Sequence, residues 1–145
     1  MKLKRKTSGI IIIGNEVLSG KTLDTNSNFL CKELYEMGME CKEVSVIQDI
    51  ERTIIEKVNL FRKKYDFVFT TGGIGPTHDD ITSQSISKAF NDKLVLNKLA
   101  KKRLETHYSD ETLTSARLKM AYIPSKSIII DNPVSIAPGF SIENV

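Results

Sequence analysis

At 145 residues, with 40% hydrophobic and 27% charged side chains, the chain has the make-up of one globular domain large enough to bury a core. Its net charge of +3 is too small to imply a nucleic-acid partner by itself. The basic residues Lys2, Lys4, Arg5 and Lys6 read as a short solvated arm, and the apolar run behind them is too short for a signal-peptide core or a membrane span.

Gly9 to Ile13 is an apolar, β-branched run ending at Gly14, which predicts a buried strand. From Asn26 a helix is predicted, with Leu30, Leu34 and Met37 on one face and Gly38 as its stop. Cys41 to Ile47 reads as a second strand. Asp49 precedes a helix with the stripe Ile54, Val58 and Phe61. Phe67 to Thr70 is a third strand, and Ile81, Ile86, Ala89 and Phe90 mark the next helix. Lys98 to His107 reads as a helix, Leu113, Ala116 and Met120 as a helical stripe, and Ser127 to Ile130 as a β-branched run. This alternation predicts an α/β fold, a three-layer α/β/α sandwich with a mostly parallel sheet and an antiparallel edge. The two cysteines, Cys31 and Cys41, have no metal-ligand spacing and are too few for a disulfide framework, so they read as reduced thiols of a cytoplasmic protein. The abrupt stop at Val145, just after the start of a further strand, suggests a fragment of a longer protein.

Thr70 to Thr82, TTGGIGPTHDDIT, carries the chemistry. A strand ends in three glycines within four residues, then Asp79 and Asp80 precede a helix. Glycines let a phosphate approach the backbone, and a helix start leaves N–H donors unpaired. Two carboxylates would repel a bare phosphate but suit one accompanied by a divalent cation. A second glycine segment, Gly14 to Thr22, comes near a nucleotide-binding P-loop. It has five residues where that loop has four, and Glu16 would stand in the phosphate cradle.

Four blocks carry a resemblance to a known family: Gly14-Asn15-Glu16-Val17-Leu18-Ser19-Gly20 with Asp24-Thr25-Asn26; Gln48-Asp49; Thr70 to Thr82; and Lys119-Met120-Ala121 with Pro124, Asn132 and Ala137-Pro138-Gly139-Phe140. In this order they resemble the molybdopterin-binding domain of molybdenum-cofactor biosynthesis proteins of the Mog type. The Gly-Pro-Thr-His-Asp-Asp form is similar to that of competence/damage-inducible protein A (CinA) and the N-terminus of FAD synthases. Ser135 departs from the glycine usual in CinA proteins. The resemblance implies one domain over residues 1–145, C-terminally truncated. It also implies that the amide-hydrolysing domain of CinA proteins and the adenylyltransferase domain of FAD synthases lie outside these residues.

The resemblance assigns roles. Gly72, Gly73 and Gly75, with Pro76, would cradle the terminal phosphate of molybdopterin or a nucleotide pyrophosphate. Asp80 would hold Mg2+ or another divalent cation, and Asp49 would be the second catalytic and metal-binding carboxylate. Asp49 is otherwise a helix N-cap, and Thr77 with Asp80 otherwise a capping box. Gly14, Glu16, Asp24 and Asn26 would line the same mouth, because strand ends of a parallel sheet gather on one side. Thr71, Thr77, Asp79 and Thr82 would contact the ligand or serve the turn. His78 reads as solvent-facing or ligand-adjacent, and Lys21 as solvated. The implied chemistry is AMP transfer from ATP to molybdopterin, as in Mog-type proteins, or hydrolysis of ADP-ribose or a similar pyrophosphate, as in CinA-type ones. A non-catalytic binding module is the third reading. The expected partner is a phosphorylated small molecule, with no nucleic acid and no membrane, in a homo-oligomer (trimer or dimer).

Overall fold

The β-branched run of the N-terminal third builds the central strand. A computed structural model of the chain describes residues 5–108 and 112–145, so Lys2 and Lys4 of the basic arm lie outside the described residues. The elements in order are β1 (Thr7–Ile13), α1 (Asn15–Leu18), α2 (Asn26–Glu36), β2 (Glu40–Ile47), α3 (Glu51–Lys64), β3 (Phe67–Thr71), α4 (Thr82–Ala89), β4 (Leu94–Leu96), α5 (Lys98–His107), α6 (Ser115–Leu118), a 3-10 turn (Lys119–Ala121), β5 (Tyr122–Pro124), β6 (Ile128–Ile130) and β7 (Gly139–Ser141). They fall into two compact units, residues 1–72 with 144–145, and residues 73–143.

In the first unit β1, β2 and β3 form a parallel sheet in the order β2-β1-β3. Ile10, Ile11, Ile12 and Ile13 are all buried because both faces of β1 are covered. Ile10 and Ile12 pack with Leu34 of α2. On the opposite face α3 packs on β1 and β3, with Ile54, Val58 and Phe61 fully buried. Successive strand residues point to opposite faces, so the run of isoleucines serves two helical layers. This is the α/β/α sandwich. Met37, expected on the inner face of α2, is 70% exposed, because the helix ends at Glu36. The unit also recruits the C-terminal residue Asn144. Its carbonyl accepts the Val68 N–H, and its amide donates to the Arg62 and Tyr65 carbonyls.

The first strand is pinned by a carboxylate. Asp66 accepts from the Thr7 N–H (2.8 Å) and hydroxyl (2.9 Å), and pairs with Lys6 (2.9 Å). These contacts, the backbone N–H first, draw its carboxyl down to about 2 from an ordinary 3.8. A carboxyl depressed in the folded state contributes stability above its ordinary pKa, and that stability is lost as pH falls through the folded value. Asp66→Asn is therefore expected to lower Tm at neutral pH, with the gap to the parent closing between about pH 4 and pH 2. Thermal melts across that range check it; a gap independent of pH would contradict it.

In the second unit Ala100, Leu104, Met120, Ala121 and Ala137 are buried together, with Ile74 and Leu118 packed against them. Its strands form two separate antiparallel ladders, β4-β5 and β6-β7. The antiparallel strands are thus not an edge of the parallel sheet. Asn97 caps α5 by accepting the Ala100 N–H. Ser135, the departure noted above, takes a hydrogen bond from the Asn132 amide.

Candidate functional site

Within the first unit the loops that follow β1, β2 and β3 meet. The Asp49 carboxylate accepts the Asn15 N–H at 2.7 Å, and the Gly14 N–H donates to the Ile47 carbonyl. Asp49 is not a helix cap: the residue before α3 is Ile50, whose side chain cannot cap, and Asp49 is spent across the sheet on the first loop instead. Glu16 lies on the short helix α1 with its carboxylate against Gly14. Asp24 accepts the Ser27 N–H in the first turn of α2, and Asn26, which opens that helix, donates to the Thr71 hydroxyl at 2.8 Å. Thr71 ends β3. Gly72 then turns with φ +97, and a Cβ there would lie 1.9 Å from the Ile13 carbonyl oxygen. Only glycine fits that approach.

The rest of the signature belongs to the second unit. Gly73 has φ +65, and its carbonyl accepts the Thr82 N–H at 3.1 Å. Thr82 is 1% exposed and its hydroxyl stands where a Gly73 Cβ would be. Thr77 and Asp80 do not form a capping box, because α4 begins at Thr82 behind Ile81. They close a turn of their own: one Asp80 oxygen, Oδ2, accepts from both the Thr77 N–H (2.9 Å) and hydroxyl (2.5 Å). Asp79 takes the same hydroxyl at 2.6 Å, which lowers its carboxyl from the ordinary value. Pro76, Thr77, His78 and Asp79 are exposed, whereas Gly73, Gly75 and Asp80 are half-buried. Among the described residues no three His, Cys, Asp or Glu side chains cluster as a ready metal cage.

Lys119 joins this turn and was given no role from the sequence. Its ammonium donates to the Thr77 carbonyl at 2.6 Å, and it lines one small pocket with Gly73, Gly75 and Asp80. That pocket measures about 30 Å³, the size of a water molecule rather than a phosphate. The signal in the sequence was the Lys119-Met120-Ala121 block itself, 42 residues from Thr77. Lys21 is exposed. The two cysteines are free, and burial, followed by the neighbouring Cys41, pushes the Cys31 thiol up to about 11. No helix among the described residues is long and apolar enough to cross a membrane.

A family profile described as "Probable molybdopterin binding domain" matches residues 9–145, which takes in both units. The chain belongs to that family. Among solved members, the protein CinA with unknown function from Thermoplasma acidophilum superposes with a TM-score of 0.88 at 34% identity, over 94% of this chain and 80% of that one. A "Putative competence-damage inducible protein" of Clostridium kluyveri is 39% identical over 144 residues, 94% of this chain and 34% of the relative. The chain thus spans about a third of the length of the curated relatives it matches. The tungsten cofactor synthesizing protein MoaB of Pyrococcus furiosus shares the fold, with a TM-score of 0.58 at 20% identity over 99% of this chain and 84% of that one. In this molybdopterin-binding-type domain of the CinA and MoaB group, the signature segment runs from the end of the parallel sheet into the start of α4.

Proposed function

We propose that this domain, over residues 1–145, binds the phosphate end of a pterin or nucleotide and supports magnesium-dependent phosphoanhydride chemistry. The observation that supports this most is the turn itself. Two successive glycines with positive φ are followed by an acidic turn that keeps one Asp80 oxygen without a hydrogen bond among the described residues, and by a lysine reaching in from elsewhere. In this reading the N–H groups of Gly72, Gly73 and Gly75 hold phosphate oxygens, and Lys119 balances their charge. Pro76, Thr77 and Asp79 shape the rim, and Thr82 sets the turn from behind.

Magnesium commonly uses one or two carboxylates and completes its shell with phosphate oxygens and water. Asp80 would hold the metal through its free oxygen. Asp49, in the first unit, keeps one oxygen without a hydrogen bond among the described residues for the same kind of use, and Gly14, Glu16, Asp24 and Asn26 would line the ligand's approach. The ion would neutralise charge developing on the phosphate oxygens. The protein would work in the cytoplasm as a homo-oligomer, as the family resemblance implies.

Two reactions fit this geometry: AMP transfer from ATP to molybdopterin, and hydrolysis of ADP-ribose or a related pyrophosphate. The second is the one that the CinA-type resemblance implies, and the chain is 34% identical to a solved CinA protein. The test is incubation with magnesium and either ATP plus molybdopterin or ADP-ribose. AMP release from ADP-ribose is expected; AMP-linked pterin would support the first reaction. Binding with no turnover under any divalent metal would leave a ligand-binding module.

A further inference from the structure

We infer that the cleft between the start of α2 and the end of β3 holds the flat heteroaromatic ring of the ligand, adenine or pterin. It lies wholly within the first unit, measures about 310 Å³, and is lined by Asn26, Phe29, Leu30, Phe69, Thr70 and Thr71. Asn26, Phe29 and Leu30 stand at i, i+3 and i+4 of α2, so they share one face of the helix. Leu30 and Phe69 are packed into the cluster under the sheet and form a fixed floor. Phe29 is 62% exposed and lines the cleft, which makes it a wall whose ring can stack on a flat ligand.

The polar edge of the cleft selects among flat ligands. The Asn26 amide spends one N–H on the Thr71 hydroxyl, which fixes its plane. Its other N–H and its oxygen carry no hydrogen bond among the described residues. A donor beside an acceptor on one amide complements an exocyclic amino group beside a ring nitrogen, as an asparagine does against adenine. Both adenine and pterin present that edge; a bare sugar phosphate does not. Thr71 is followed directly by Gly72, so a ring seated here is continuous along the chain with the proposed phosphate turn.

This inference rests on the phosphate reading above, and the experiment separates the two. Calorimetry with inorganic pyrophosphate probes the phosphate end alone; ADP-ribose and 6-hydroxymethylpterin diphosphate add the two rings. Phe29→Ala is expected to weaken the ring-bearing ligand about tenfold while pyrophosphate affinity holds within about twofold. Phe29→Tyr restores the ring affinity. Because Phe29 is exposed, Tm should stay at the parent value. The ligand that loses more on Phe29→Ala is the one whose ring the cleft takes. Unchanged ADP-ribose and pterin affinities in Phe29→Ala would overturn the inference and leave the phosphate reading standing. Ring-dependent binding with no response to pyrophosphate would overturn the phosphate reading and keep the cleft. No binding of any probe would overturn both.

Discussion

Gly72→Ala is expected to destabilise the protein by about 3 kcal/mol or more and to lower Tm by roughly 10 °C. Two effects combine. At φ +97 an alanine sits in a region that L-residues rarely adopt, and its Cβ would stand 1.9 Å from the Ile13 carbonyl oxygen. That oxygen belongs to backbone at the end of a buried strand, paired in register with Ile47, so it has nowhere to go. Gly38→Ala isolates the first effect: its φ is +81 but nothing lies within 4 Å of the added carbon. That control should lose only about 1 kcal/mol. Thermal or denaturant unfolding of the two variants checks the contrast. Equal losses would mean that close approach to Ile13 does not matter.

Asp80→Asn should act on chemistry and spare the fold. The asparagine oxygen still accepts from the Thr77 N–H and hydroxyl, so the turn keeps both bonds that Asp80 Oδ2 now makes. What disappears is the negative charge and with it the proposed grip on magnesium. Turnover of the active substrate in the presence of magnesium is expected to fall by about 10²-fold to 10³-fold. Tm should stay close to the parent. Asp79→Asn, which likewise keeps an oxygen for the Thr77 hydroxyl and removes a charge with no proposed grip on the metal, should lose far less. Steady-state rates as a function of magnesium concentration measure both. If Asp80→Asn retains full magnesium-dependent turnover, Asp80 does not hold the metal.

Much of the fold was legible because the local signals are strong. The isoleucine run of β1 and the stripe of α3 each carry their own period. The short ladders were not. Leu94–Leu96 is three residues long, and Tyr122–Pro124 ends in a proline, so their pairing depends on partners 26 or more residues away. Cap assignments failed for a related reason. A Thr-x-x-Asp pattern and an Asp near a helix start satisfy a free turn, or a neighbouring loop, as readily as a helix terminus. Thr77–Asp80 makes its bonds before α4 begins, and Asp49 gives its oxygen to Asn15. The glycine turn itself was legible from three glycines close together behind an apolar strand, and the structure shows that Gly72 and Gly73 also answer to close packing against Ile13 and Thr82. The roles of Lys119 and Asn144 were not, since each acts on a backbone group dozens of residues distant, and the Lys119-Met120-Ala121 block marks Lys119 without saying what it touches.

The most direct measurement is a titration of isotope-labelled protein with ADP-ribose and magnesium, followed through its backbone amide resonances. The amides of Gly72, Gly73 and Gly75 are expected to shift together and saturably, with one apparent Kd, and to respond to pyrophosphate as well. Saturable ligand binding that leaves those three amides unmoved would contradict the assignment of this turn as the phosphate site.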